Sequence, residues 1–150
     1  MKKSTQQNLC IDIGNSFTKL ALFRGDKLIK IDFIEKFDLK TIRAYVQKNV
    51  IQDVIISSVQ VLPQRALTFL QHKAEHVVIM NQSLTLPITI NYKSPNTLGQ
   101  DRIAAVSGAH RLYKHSDLLV IGIGTCITYD LLSKKGVYLG GNISPGLDMR

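Results

Sequence analysis

The sequence predicts an α/β fold in which three strands precede two helix–strand units, and a further helix and three more strands follow. Two observations predict it. Short apolar segments alternate with two amphipathic segments through the first half of the chain, which is typical of strands joined by crossover helices. The stretch "LCIDIGNSFTKLAL" at 9–22 also returns as "LVIGIGTCITYDLL" at 119–132, with six of fourteen residues unchanged. The strand arrangement is therefore predicted to be duplicated.

The first half begins with three strands. Residues 9–14 form a near-continuous apolar run, which is typical of a buried strand. "FTKLALF" at 17–23 and "LIKIDFI" at 28–34 flank the turn "RGDK", so we expect a three-stranded antiparallel meander.

Two helices and two strands complete the predicted βββαβαβ unit. Residues 38–49 are amphipathic, with Asp38 as the N-cap and Phe37 spaced from Ile42 as a hydrophobic staple. A strand at 52–59, a helix at 63–74 that Pro63 opens, and a strand at 76–80 follow.

Residues 81–99 form a connecting segment with at most one short strand, and a helix at about 100–114 leads into three further strands. We predict a first domain at 1–98 and the start of a second at 99–150. Because nothing after the last three strands covers their sheet, the second domain is expected to be incomplete, with an exposed apolar face.

Composition narrows the classes of function. Hydrophobic residues make up 45% of the chain, and no apolar run is long enough to span a bilayer. Without a signal-peptide pattern, we expect a cytoplasmic protein and no membrane partner. Cys10 and Cys126 are interpreted as small buried hydrophobes. The net charge of +8 is spread along the chain, so nucleic-acid binding is not favoured.

The first copy of the repeat suits a phosphate. Asp12 leaves a buried strand, Gly14 allows a tight turn, and the next residues offer hydrogen-bond donors. A carboxylate beside a donor-rich hairpin fits Mg²⁺ and phosphoryl oxygens, and Lys19 would add a positive charge. A plain strand ending in an Asx-turn is the alternative. With two copies, we expect two hairpins to hold a nucleoside triphosphate from both sides.

A second candidate is "LGQDRIA" at 98–104. Asp101 and Arg102 fall in the first turn of a predicted helix, whose N-terminus favours an ionised carboxylate. Asp101 could accept a hydroxyl proton while Arg102 binds an acid group. A salt bridge at a helix N-terminus is the alternative.

A third candidate is "GGNISPG" at 140–146, whose glycines would let backbone approach a ligand, with an ordinary turn as the alternative. No Walker A loop or complete GxGxxG motif is present. His72 and His76 are spaced as a metal pair, but without a third ligand in the sequence they are interpreted as solvated.

In this order, "DIGNSFTK", "GQDR", "GTCITYD" and "GGNISPG" resemble the motifs of the type III pantothenate kinases, a family of the acetate and sugar kinase, Hsp70 and actin superfamily. The resemblance implies an actin-like, ribonuclease H-like duplicated fold. It also implies ATP-dependent phosphorylation of pantothenate to 4'-phosphopantothenate, the first step of coenzyme A biosynthesis. ATP, Mg²⁺ and a monovalent cation (K⁺ or NH₄⁺) would be the cofactors, and the family works as a homodimer.

The resemblance also assigns residues. Asp101 would be the catalytic proton acceptor, and Asp12 would place Mg²⁺. The substrate-binding residues would be Tyr92, Gly99, Gln100, Asp101 and Arg102. The ATP-binding residues would be Asp12, Ile13, Gly14, Asn15, Ser16, Phe17, Thr18, Lys19 and Thr125.

Gly122 departs from the family pattern, which carries an aspartate there as the ligand of the monovalent cation. Glycine has no side chain to offer, so we expect a weakened or altered cation requirement. A nucleotide-binding homologue with a regulatory role and no catalysis is the alternative function, and a kinase for another small hydroxy acid is a third.

Overall fold

A computed structural model describes residues 6–81, 83–92 and 98–146. They form two compact units that divide between Met80 and Asn81. The elements of the first unit are β1 (Gln7–Ile13), β2 (Thr18–Arg24), β3 (Lys27–Ile34), α1 (Leu39–Gln47), β4 (Ile51–Ser58), α2 (Gln64–Lys73) and β5 (His76–Ile79). Those of the second are β6 (Thr89–Ile90), α3 (Gln100–Leu112), β7 (Leu118–Ile123), β8 (Cys126–Leu132) and β9 (Val137–Pro145). The domain boundary after residue 98 stays a prediction.

The first unit contains one five-stranded sheet in the order β3-β2-β1-β4-β5. The strands β1, β2 and β3 pair antiparallel, and β4 pairs parallel with β1 and β5. Gly25 has φ +56° in the turn between β2 and β3, a conformation that glycine adopts readily. The predicted βββαβαβ order is therefore confirmed.

The core of the first unit lies between one face of this sheet and the two helices. Leu9, Ile11 and Ile13 alternate along β1 toward the core, where Ile42 of α1 and Leu70 of α2 are fully buried. Because side chains alternate in a strand, the residues between them, Cys10 and Asp12, lie on the opposite face of the sheet. Burial raises the pKa of the Cys10 thiol.

The start of α1 follows the sequence prediction. The Asp38 side chain accepts a hydrogen bond from the Thr41 N–H at 2.9 Å, which satisfies one of the unpaired N–H groups of the first turn. Phe37 and Ile42 are both buried in the core.

The second unit contains a four-stranded sheet in the order β6-β9-β8-β7. The strands β7, β8 and β9 pair antiparallel, and the two-residue β6 pairs parallel with β9. Helix α3 packs against β7 and β8. Ile103 and Val106 of α3 are buried, as are Leu132 and Tyr138 of the sheet.

The other face of the second sheet is exposed, as the sequence predicts. Leu119, Ile121 and Ile123 of β7 are all at least half exposed. Cys126 is also exposed, so the prediction that both cysteines are buried is wrong for Cys126, which lies next to the turn at the start of β8. None of the helices in the described part of the chain is long and apolar enough to cross a membrane.

Candidate functional site

The carboxylate of Asp12 lies on the sheet face that the two helices leave uncovered. Asp12 pairs across the strands with Lys19, and the Lys19 Nζ lies 3.5 Å from Asp12 Oδ2. The Asp12 side chain is 40% exposed and that of Lys19 is 56% exposed, so this ion pair contributes little to stability. A carboxylate and an ammonium are thus presented together at the end of β1, where both can contact a solvent-borne ligand.

The turn that follows Asp12 is held by one backbone hydrogen bond within it and by one from the Gln60 side chain. The Gly14 N–H donates to Phe17 O at 3.1 Å, and Gln60 Nε2 donates to Gly14 O at 2.7 Å. Asn15, Ser16 and Phe17 are exposed, whereas Ile13 and Thr18 are buried. Of the predicted ATP-binding residues, Ile13 and Thr18 could therefore face a phosphate only through their backbone.

The second copy of the repeat forms the β7–β8 hairpin. The Gly124 N–H donates to Cys126 O at 3.0 Å, and the Gly146 N–H donates to Thr125 O at 3.0 Å. A Cβ at Gly146 would lie 2.3 Å from Thr125 O, too close for any side chain. The last glycine of "GGNISPG" is therefore required so that this segment can lie against the turn at Thr125.

Position 122 faces Thr128. Gly122 pairs with Thr128 across the hairpin, and a Cβ at Gly122 would lie 2.7 Å from the Thr128 Oγ1. The threonine hydroxyl therefore occupies the space that a side chain at position 122 would enter.

The "GQDR" motif opens α3. Gly99 is the N-cap residue, and Asp101 is the acidic residue of the first turn. Asp101 is exposed, and the helix N-terminus favours its negative charge. A Cβ at Gly99 would lie 2.4 Å from Asp101 Oδ1. Glycine at position 99 therefore makes room for the Asp101 carboxylate to fold back over the start of the helix.

Arg102, the next residue, is buried in an ion pair. Its Nε and Nη2 donate to Asp130 Oδ1 at 2.9 Å and 2.7 Å, and its Nη2 also donates to the Tyr138 hydroxyl at 3.1 Å. The Tyr138 hydroxyl in turn donates to Asp130 Oδ1 at 2.7 Å. We call Arg102, Asp130 and Tyr138 the arginine cluster.

Tyr92 extends this cluster. Its ring packs edge-on against Tyr138, with the centroids 6.0 Å apart. Two residues that the resemblance assigns to substrate binding, Tyr92 and Arg102, are therefore brought together through Tyr138. Gln100, between Gly99 and Asp101, carries a buried Oε1 without a hydrogen-bond partner in the described part of the chain.

The sequence matches one family over nearly all its length. The family model described as type III pantothenate kinase matches residues 8–150. The chain belongs to this family. The type III pantothenate kinase of Bacteroides fragilis strain YCH46 is 39% identical over 143 residues, and that of Christiangramia forsetii is 41% identical over 151. Each match covers 95% of this chain and 59% of the relative, so the chain spans about three fifths of the kinase relatives it matches.

Solved structures of other proteins resemble the chain at low sequence identity. A Bacteroides thetaiotaomicron protein described as having an actin-like ATPase fold is 9% identical, with a TM-score of 0.47 over 95% of this chain and 71% of its own. MreB5 of Spiroplasma citri, solved with ADP bound, is 12% identical, with a TM-score of 0.44 over 94% of this chain and 52% of its own.

Two residues of this site, Asp130 and Tyr138, were not singled out by any motif of the sequence. A signal for Asp130 is present in the repeat itself, because Leu20 occupies the matching position of the first copy. A charged residue in place of a core leucine indicates a buried partner of opposite charge. Nothing in the sequence singles out Tyr138, since it lies in an ordinary strand pattern.

One of the two exposed histidines, His76, has a partner that the sequence does not reveal. His76 Nδ1 lies 2.8 Å from Asp53 Oδ1, and the ligand atoms of Asp53, Glu75 and His76 all lie within 4.8 Å of one another. His72 is exposed as well. The neighbours of His76 on the surface of the first unit are therefore two carboxylates, Asp53 of β4 and Glu75 before β5, and His72 is not part of this group.

Proposed function

We propose that this chain carries the pantothenate-phosphorylating chemistry of its family: transfer of the γ-phosphoryl group of ATP to the hydroxyl of pantothenate, which yields 4'-phosphopantothenate for coenzyme A synthesis. The observation that carries the proposal is Asp101. It is an exposed carboxylate in the first turn of α3, directly before an arginine whose position is fixed by a buried ion pair. A proton acceptor beside a fixed cation suits a substrate with both a hydroxyl and a carboxylate.

In this proposal Asp101 accepts the proton as the pantothenate oxygen bonds to the γ-phosphorus and the bond between that phosphorus and ADP breaks. Gly99, Gln100, Arg102 and Tyr92 bind and orient pantothenate. Because such transfers need mainly positioning and neutralisation of charge, the chain's task is to hold the alcohol in line with the phosphate.

The first hairpin suits the phosphates of ATP. Asp12 and Lys19 are both accessible at the end of β1, and the exposed turn 14–17 offers polar groups next to them. A half-exposed carboxylate fits Mg²⁺, which prefers oxygen ligands and keeps several waters. The ion supplies charge neutralisation on the phosphates when bound. Thr125 of the second hairpin would contact the phosphates as well, as the resemblance implies.

An assay of ADP release with and without pantothenate tests the proposal. We expect pantothenate-dependent turnover in the wild type and its loss in Asp101→Asn. Asp53→Asn removes the same charge from the pair of Asp53 with His76 and should keep full activity. Nucleotide binding without turnover would favour the regulatory homologue instead, and turnover only with another alcohol would favour a different substrate.

Gly122 bears on the monovalent cation. With no side chain at this position, and with the Thr128 hydroxyl 2.7 Å from where a Cβ would be, we propose that K⁺ or NH₄⁺ stimulates this chain less than its relatives. We expect a weak response to KCl relative to choline chloride of equal ionic strength, and a larger response in Gly122→Asp. Strong stimulation of the wild type that Gly122→Asp leaves unchanged would contradict the proposal.

A homodimer and a cytoplasmic location complete the proposal. The homodimer is implied by the family resemblance alone, and the cytoplasmic location by the amino-acid composition and the absence of a signal-peptide pattern. Sedimentation of the purified chain would give its oligomeric state.

A further inference from the structure

The arginine cluster contains a charge pair that is almost completely removed from water. The Arg102 side chain is 8% exposed and that of Asp130 is 1% exposed. Tyr138 is also buried, and its pKa is raised by burial and by its hydrogen bond to Asp130. Its hydroxyl therefore stays protonated, which lets it donate to Asp130 while accepting from Arg102.

Stability alone does not account for this pair. Removing two charges from water costs roughly as much as their attraction returns, and apolar replacements of similar volume are often as stable. The first copy of the repeat shows that an apolar residue fits the strand, because Leu20 matches Asp130 and is fully buried. A buried charge retained where leucine packs well indicates a task for Arg102 that requires a defined orientation.

The backbone around the cluster is shaped to keep that orientation. A Cβ at Gly141 would clash with the Tyr129 carbonyl oxygen of β8 and with Arg102 Nη2, and it would lie 2.7 Å from Asp130 Oδ1. Any side chain at position 141 would therefore displace the ion pair. The second glycine of "GGNISPG" thus leaves room both for the backbone of β8 and for the arginine cluster.

We propose that Asp130 and Tyr138 are positioning residues, which fix the Arg102 guanidinium so that its Nη1 edge receives the carboxylate of the substrate. The proposal rests on the proposed function and deepens it, because it assigns the choice of an anionic over a neutral alcohol to residues outside the "GQDR" motif. Its geometric basis is that Nε and Nη2 are the nitrogens that face Asp130 and Tyr138. The Nη1 nitrogen donates to neither.

The test compares two alcohols that differ only in charge: pantothenate, and pantothenol, in which a hydroxymethyl group replaces the carboxylate. Tyr138→Phe removes one hydroxyl and keeps the ring against Tyr92. We expect the KM for pantothenate to rise about 10-fold, the effect of a weakened charge-assisted hydrogen bond. The kcat, and the KM for pantothenol, should stay within about twofold.

Tyr129→Phe is the matched control. It also removes one tyrosine hydroxyl from the same sheet. Tyr129 lies on β8 directly before Asp130, so its ring lies on the opposite face of the sheet from Asp130. It should change neither KM. Asp130→Asn, which keeps the volume of the side chain, is the second variant, with a larger loss confined to pantothenate, and circular dichroism first establishes that each variant is folded. Equal losses for both alcohols, or no loss in either variant, would overturn the proposal.

A second readout does not depend on turnover. We expect the Nε–H resonance of Arg102 in NMR spectra to be protected from exchange with water and to shift in Tyr138→Phe but not in Tyr129→Phe. Fast exchange in the wild type would overturn the proposal.

A chain that releases no ADP but binds pantothenate more tightly than pantothenol would overturn the proposed function and support this inference. Equal turnover of both alcohols would support the proposed function and overturn this inference.

Discussion

The two copies of the repeated stretch fold as hairpins that differ in register by one residue. In the first copy the innermost pair is Ile13 with Thr18, and in the second it is Ile123 with Ile127. Four residues lie inside the first pair and three inside the second. Because side chains alternate, a slip of one residue turns one strand of the hairpin over relative to the other.

The consequence appears in burial. The second strands of the two hairpins are buried on the same side, since Leu22 and its match Leu132 are both 1% exposed. The first strands do not: Ile11 is 2% exposed, whereas Ile121, its match in the repeat, is 50% exposed. Identical residues therefore face the core in one unit and the solvent in the other.

The same slip separates Asp12 from Gly122. Asp12 points away from the core of its unit, toward Lys19, whereas Gly122 faces Thr128 on the side of the sheet that bears Asp130. The two positions match in sequence but not in environment. The first copy thus carries its carboxylate on the open face, and the second carries one, Asp130, on the buried face.

The largest expected effect comes from making the second copy like the first at its buried face. Asp130→Leu restores the residue of the first copy but leaves Arg102 buried without its partner. Breaking such a pair costs about 3–5 kcal/mol, so we expect a loss of that size in the free energy of unfolding. Urea denaturation followed by far-UV circular dichroism measures it, with hydrogen exchange of the β8 amides assigning the loss to the second unit.

The control replaces the whole cluster. A variant with Arg102→Met, Asp130→Leu and Tyr138→Phe contains neither buried charge nor an orphaned hydroxyl, and we expect it to recover most of the lost stability. If Asp130→Leu alone were as stable as the wild type, the ion pair would not form in solution. Asp130 would then not differ from Leu20 by having a buried charged partner.

The next effect tests the register slip directly. Ile11→Ala empties a filled position in the core of the first unit and should cost about 2–5 kcal/mol. Ile121→Ala, the same change at the matching position, removes an exposed side chain and should change stability by less than about 0.5 kcal/mol. The two urea midpoints, measured side by side, decide the point. Equal losses would mean that the second hairpin has the register of the first.

Much of the fold could be predicted because its signals are local. Alternation along β1, the N-cap at Asp38 and the turn at Gly25 each depend on neighbouring residues, and the structure confirms the corresponding elements. The register of the β7–β8 hairpin could not be predicted. The two copies align without a gap, so the sequence suggests equivalent strands, whereas the register depends on how many residues the turn takes up.

The candidate site divides in the same way. The motifs indicate Asp12 and Asp101 because their functional signals are contained within a few residues. The arginine cluster joins residues that are 28 and 36 positions apart in sequence, and only the packing of α3 against the second sheet shows that they meet. The sign of that contact within the repeated stretch is that Asp130 stands where the first copy has Leu20.

The smallest expected effect compares the starts of α1 and α3. The Thr41 N–H holds the pKa of Asp38 below its usual range, whereas α3 begins at Gly99 with no side-chain cap. A carboxyl whose pKa is lowered by folding stabilises the protein above its unfolded pKa of about 4, and this contribution is lost as the pH falls through the folded value. Asp38→Ala should therefore be less stable than the wild type at pH 7, with the difference in stability narrowing toward pH 2.

Asp38→Asn keeps a capping oxygen without the charge, so its stability should fall less between pH 5 and pH 2. Thermal unfolding across that range measures both differences, and a wild type and Asp38→Asn that lose stability in parallel would show that the cap acts without its charge.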